Sequence, residues 1–218
     1  MKGLLRSLFY SAADNLRVAM VLVAAAGVVL VASGSTTLLN VLPLVVPPLL
    51  ALVAIGALRR EGASKWPRYQ LTLPVRRRDI VRSRYLSHLF WSLAGTLAAA
   101  LLLAMTLAVH GDHYFYYGLR DALTLVLGGG VLALLIGAIA YPLLQRLGTE
   151  RLEAVFAVSV AGAVALVLGM SLVINLVAAG DVSDSLYYGS LVAIVGLTAL
   201  LYIASYSFTA LCFTRQDG

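Results

Sequence analysis

Residues 59–84 read RREGASKWPRYQLTLPVRRRDIVRSR, and the placement of this stretch decides the fold. Nine of its residues are Lys or Arg, and two, Glu61 and Asp79, are acidic. On either side the sequence is nearly pure hydrocarbon. A segment this basic cannot rest in lipid and resists translocation, so it is expected in the cytoplasm, where it fixes the orientation of every other segment. Of the 218 residues, 61% are hydrophobic and 12% charged, with a mean hydropathy of +0.93. A soluble domain carries about 25% charged residues, and a chain this size leaves roughly a third of its surface wet. Lipid is therefore the expected solvent. The pI of 9.7 raises nucleic acid as a partner, but the charge borders apolar runs as loop charge does, and no nucleic acid is expected. A single cysteine, Cys212, excludes an intrachain disulfide and a CxxC metal site.

Working outward, six apolar segments can cross a bilayer: residues 18–33, 38–58, 85–109, 119–144, 154–179 and 186–213. The expected fold class is an all-α integral membrane protein with one six-helix domain over 18–218 and a cytoplasmic loop at 59–84. Residues 1–17 are too polar to span. Leu5, Leu8, Phe9, Ala12 and Leu16 fall near helical spacing, which predicts a separate amphipathic helix in the cytoplasmic interface. A plain charged lead-in, or a signal peptide cut after Ala32-Ser33-Gly34, are the alternatives; the long n-region favours an uncleaved anchor. Six spans with both termini inside put fifteen of the sixteen Lys and Arg on the inner side and only Arg120 outside. Adding or removing one span would scramble that separation. Gly129, Ala133 and Gly137 in the fourth span, and Ala157, Ala161, Ala165 and Gly169 in the fifth, recur every four residues and predict close helix approach.

The second span holds Asn40, Pro43, Pro47 and Pro48. Two consecutive missing N–H groups leave the carbonyls of Pro43 and Leu44 without helical partners, which predicts a kink or break and a helix facing protein or a wet cavity. Asn40, Ser171 and Asn175 are the most polar groups in the spans. Ser171 and Asn175 share a face and either line a pathway or bond a neighbouring helix. No acid or base lies mid-span, which argues against an ion-coupled carrier. There is no P-loop, HExxH or GxSxG pattern, so the chain is expected to be no enzyme and to hold no cofactor. His110, Asp112, His113 and Asp121 have metal-ligand chemistry but sit where a polar outer loop is expected anyway, and no metal is assigned. His88 reads as a hydrogen-bonder at the inner interface.

Within the basic segment, Pro74 can begin a helix but not continue one, so a helix is expected from near Val75 into the third span as one rod. Ahead of it, Trp66, Tyr69, Leu71 and Leu73 alternate with Lys65 and Arg68: either a docking face or an interfacial segment holding anionic lipid. Leu73-Pro74-Val75, Arg77, Asp79, Ile80-Val81 and Arg84-Tyr85-Leu86 resemble the segment after the second helix of type-2 ABC exporter permeases. Arg76 stands where that family often has Ser, so a helix cap is missing. The resemblance implies two permease subunits (identical or not), each resting on a separate ATP-binding subunit that carries ATP and Mg. It implies that Trp66, Tyr69, Leu73, Pro74, Arg77, Asp79 and Ile80 form the coupling segment to that subunit. Asn40, Pro43, Pro47, Pro48, Ser171 and Asn175 are the candidate pathway and hinge residues. The implied setting is a bacterial cell membrane, and walls with hydroxyls and amides but no fixed charge suit an apolar or amphipathic substrate: a peptide, a lipid-like molecule or a drug. A non-transporting anchor or immunity protein, and a membrane enzyme using His110 and His113, are the other readings.

Overall fold

The computed structural model describes residues 2–63, 76–111, 118–178 and 183–215. Among them are six long helices and no strand: α1 (Lys2–Ser33), α2 (Thr36–Ala63), α3 (Arg77–His110), α4 (Leu119–Leu147), α5 (Leu152–Ala178) and α6 (Asp184–Arg215), with a 3-10 turn at Thr149–Arg151. All six are long and apolar enough to cross a membrane. Trp66, Tyr69, Leu73 and Pro74, and Asp112 and His113 of the outer loop, lie outside the described residues.

The first difference from the sequence reading is in α1. The amphipathic stretch is not a separate element. A single helix of 32 residues runs from it through the first span. No proline interrupts it, and at ~1.5 Å per residue it is about 48 Å long, well beyond a hydrocarbon core of about 30 Å. Leu4, Leu8, Ala12, Leu16 and Ala19 form its buried stripe. Ala12, Leu16 and Ala19 pack on Leu50, Val53, Ala54 and Ala57 of α2 and on Trp91 of α3, so this face meets protein.

The second difference is in α2, where no break occurs: the helix runs through Pro43, Pro47 and Pro48. Pro43 and Pro47 are fully buried, and the neighbouring helices present glycines to them. A Cβ on Gly95 of α3 would lie 2.7 Å from the Pro47 Cα, and one on Gly129 of α4 would meet the Pro43 carbonyl oxygen and come within 2.9 Å of the Pro47 ring. The freed Pro43 carbonyl is thereby enclosed in protein, as lipid requires. α2, α3 and α4 form the packed centre; α1 lies against α2 and α3, while α5 and α6 lie against α4 and barely touch each other. The stripe Ala157, Ala161, Ala165 and Gly169 is exposed rather than packed, because α5 buries its other face through Leu152, Val155, Ser159 and Ala163. Small residues permit close approach but do not compel it.

The two ends of the bundle differ chemically. At one end, Arg59 pairs with Glu153 at 3.3 Å, and Arg77 and Arg146 lie over the rings of Phe213 and Phe208. At the far end, His110 Nε2 donates to the Val31 carbonyl at 2.7 Å, and Arg120 pairs with Asp184.

Candidate functional site

α3 is the element that links the arginine end to the interior. It starts at Arg77 after Arg76, whose extended backbone carries no side-chain cap, as the missing Ser predicts. Asp79 sits in the first turn, where a carboxylate suits the positive helix end. Ile80 is buried and Arg77 half-buried. The helix then continues for 34 residues without a proline.

Two turns above Arg77, α3 enters a polar and aromatic cluster. Tyr85 of α3 is ringed by Tyr141 of α4 and by Tyr202 and Tyr206 of α6, at 4.6, 5.2 and 5.5 Å between ring centroids. Its hydroxyl lies 2.8 Å from Ser205 Oγ and 2.9 Å from Thr209 Oγ1. Both of those hydroxyls give their protons to carbonyls, Ser205 to Ala138 at 2.6 Å and Thr209 to Ser205 at 2.9 Å. Tyr85, with a single hydroxyl proton, therefore donates to one of the two oxygens and only lies close to the other. Tyr202 gives its one proton to the Tyr85 carbonyl at 2.9 Å. Its oxygen must then accept from His88 Nδ1, 3.1 Å away, which assigns the imidazole proton to Nδ1. His88 is fully buried, and its Nε2 has no hydrogen-bond partner. The ring fills the space left by Gly137, where a Cβ would come within 2.6 Å of Nε2. His88 is thus a hydrogen-bonder enclosed by its neighbouring helices, and the absence of a side chain at residue 137 makes room for it. Tyr141 completes the cluster by donating to the Arg84 carbonyl at 3.2 Å.

The second feature is a cleft of about 340 Å³ between α4, α5 and α6. Its far-end wall carries Thr124, Ser171, Asn175, Tyr187 and Ser190, and its deeper wall is apolar, including Leu127, Val131, Val167 and Ile194. The lining has no charged residue. Asn175 donates to the Ser171 carbonyl at 2.8 Å within its own helix, so its amide braces the cleft wall rather than bonding a neighbouring helix. Tyr187 bridges α6 to α4, donating to the Arg120 carbonyl at 2.7 Å and lying 2.7 Å from Thr124 Oγ1. On the other side of the α5–α6 gap lies a largely apolar groove of about 900 Å³ that shares Met170, Ile174, Ser190 and Ile194 with the cleft.

The structure brings together only part of the sequence-predicted pathway set. Ser171 and Asn175 line the cleft. Pro43 and Pro47 lie in the packed centre, with Pro48 half-buried beside them, and Asn40 is exposed near the start of α2, outside the cleft lining. Sequence reasoning missed the tyrosine cluster, although Tyr85, His88 and Ser92 on α3 and Tyr202, Ser205 and Thr209 on α6 repeat the same i, i+3, i+7 spacing. Among the described residues, no group of His, Cys, Asp and Glu is arranged to hold a metal.

No curated protein and no solved structure matches the chain. A family model described as ABC-2 family transporter protein matches residues 3–213. That match spans every helix described above, the α3 rod and the six membrane-crossing segments included, and the chain belongs to this family as a membrane permease of the ABC-2 type.

Proposed function

We propose that the chain is the membrane-spanning subunit of an ATP-driven exporter in a bacterial cell membrane, with both termini cytoplasmic. Two permease subunits pair, and each rests on a separate ATP-binding subunit that supplies ATP and Mg; this chain hydrolyses nothing itself. Family membership supports the ATP-binding partner. The observation that carries the reading is α3, one uninterrupted rod from the arginine end into the core. A push on Arg77–Arg84 travels along such a rod without being absorbed by a hinge. Residues 59–84, with Trp66, Tyr69, Leu73 and Pro74 as contacts and Arg77, Asp79 and Ile80 at the helix start, are the docking segment. Arginines there also hold anionic lipid.

The substrate is an apolar or amphipathic molecule. The cleft supports this: its volume is at the low end of the ~300–1,000 Å³ of ligand pockets, it is polar toward the far end and apolar below, and it offers no charge to a polar solute. Ser171 and Asn175 are its hydrogen-bonding wall. The test is to purify the chain from its native membrane without added partners and identify co-purifying proteins by mass spectrometry. An associated ATP-binding subunit is expected, and the double substitution Trp66→Ala and Tyr69→Ala should uncouple its ATP hydrolysis from transport while the chain stays folded. Transport by the purified chain in vesicles with no ATPase bound would overturn the reading.

A further inference from the structure

α6 is held to the rest of the bundle in an unusual way. Its buried residues, among those described, are Thr198, Tyr202, Thr209 and Ala210, and three of these four carry hydroxyls. Helices in lipid gain nothing from hydrophobic burial against each other, so packing and interhelical hydrogen bonds must hold them. In the half of α6 nearer the arginine end those bonds converge on α3: Tyr202 to the Tyr85 carbonyl, the Tyr85 hydroxyl beside Ser205 and Thr209, and His88 to Tyr202. α6 is also tied to α4, by Ser205 to the Ala138 carbonyl near the cluster and, at the far end, by Tyr187 to the Arg120 carbonyl and the Arg120–Asp184 pair. α5 takes no part, and the 900 Å³ groove separates it from α6.

We propose that the Tyr85–His88–Tyr202 cluster is the linkage that makes α6 follow α3, and that His88 is a positioning residue within it. The cluster sits about 12–16 Å along α3 from Arg77, at ~1.5 Å per residue. α3 has no proline within it and no glycine before Gly95, so its first turns move as a unit. A displacement at the arginine end reaches Tyr85 and His88 undiminished and passes to Tyr202. Because α5 is not tied in, the result is a change in the α5–α6 gap, on which the cleft opens. His88 has two jobs. Its ring, stacked on Tyr202 at 5.7 Å and set edge-on to Tyr141 at 5.6 Å, wedges α3 against α4 and α6. Its Nδ1–H occupies the Tyr202 oxygen and so directs the Tyr202 proton to the α3 backbone. Without the imidazole that hydroxyl is free to rotate away, and within the cluster α6 is left with only the Tyr85 hydroxyl as its hydrogen bond to α3.

Only the source of the displacement rests on the proposed ATP-driven function; the linkage itself is a property of the chain and is tested in the chain alone. In a Cys212→Ser background in lipid nanodiscs, spin labels at the exposed positions Leu101 (α3), Leu176 (α5) and Val192 (α6) report interhelical distances. His88→Ala and Tyr202→Phe should broaden the α3–α6 distance distribution at least twofold and leave the α3–α5 distribution unchanged. His88→Gln, which keeps a donor toward Tyr202, should restore most of the parent width. With the ATP-binding subunit bound, ATP and vanadate should shift the α5–α6 distance in the parent and by less than half as much in His88→Ala. An α3–α6 distribution as narrow as the parent's in both variants sinks the linkage, and so does equal broadening of α3–α5, which would mean general loosening. Failure to recover any ATPase overturns the proposed function instead and leaves the first two distances to decide the linkage.

Discussion

The helices α2, α3 and α4 and the helices α5 and α6 are built from the same apolar and small residues, yet they pack in opposite ways. Half of the α2 span (50%) is buried, against 11% for each of α5 and α6. Glycine shows the contrast best. In the central three helices it is where a neighbour comes closest: Gly95 against Pro47, Gly129 against Pro43 and Pro47, Gly137 against the His88 ring. In the outer pair, Gly169, Gly189 and Gly196 have nothing within 4 Å of where a Cβ would stand. The bundle therefore has a fixed half and a lightly held half, and the cleft lies along the second. Elements that move in function are drawn from the least packed part of a fold, so the contrast bears directly on which helices the proposed ATP-driven stroke would displace.

The largest expected effect comes from placing one side chain in each half. Gly129→Leu must drive the α2 backbone away at Pro43 and should cost about 3 kcal/mol or more, since overpacking costs roughly 1–3 kcal/mol even where side chains alone must shift. Gly169→Leu should be neutral or gain up to ~0.5–1 kcal/mol, because Leu is the better helix former and the space is open. Unfolding midpoints in mild detergent, read by the loss of monodisperse protein on heating, compare the two directly. Equal losses would erase the distinction between the halves.

A smaller effect sharpens where the fixed half ends. Gly137→Ala pushes a methyl into the His88 ring, which is hemmed in by Tyr141 and Tyr202. The expected cost is about 1–3 kcal/mol. Combined with His88→Ala, the added methyl has room, so the pair should be less destabilised than the two single losses summed, by about 0.5–3 kcal/mol in a double-mutant cycle. Strict additivity would mean that residues 137 and 88 do not press on each other, and that the cluster is looser than its geometry.

The six spans and the start of α3 just after Pro74 were legible in the sequence, because hydropathy and the proline rules act locally. So was the enclosed position of α2: a freed carbonyl must be covered, and Gly129 lies against that of Pro43. The helical continuity through Pro43, Pro47 and Pro48 was not, since it depends on neighbours that let the backbone close up. The repeat Ala157, Ala161, Ala165 and Gly169 is not packed within the chain for a related reason: small residues state what is permitted, while α5 turns its other face to α4. For the tyrosine cluster, the two polar triads were visible on α3 and α6, but joining His88 to Tyr202 requires a register between segments 114 residues apart. No periodicity within either helix supplies that. The segment 64–75, which carries Trp66, Tyr69, Leu73 and Pro74, is read from sequence alone.

The smallest expected effect concerns the contact between the two halves at the arginine end. Arg59 of α2 and Glu153 of α5 pair at 3.3 Å with side chains 68% and 84% exposed. Such a pair gains little Coulomb energy in high dielectric and loses side-chain freedom, so its worth is about 0–1 kcal/mol before salt screening. Arg59→Gln and Glu153→Gln should each shift the unfolding midpoint by no more than that, and the difference should vanish in high salt. A larger, salt-insensitive loss in the isolated chain would show that α5 is anchored to α2 through its first turn. α5 would then belong to the fixed half, and the gap beside it would have only one movable wall, α6. The opposite pattern, a negligible loss alone but a clear one with an ATP-binding subunit attached, would mean that the partner covers this corner and desolvates the pair, as expected if docking extends from residues 59–84 to the start of α5.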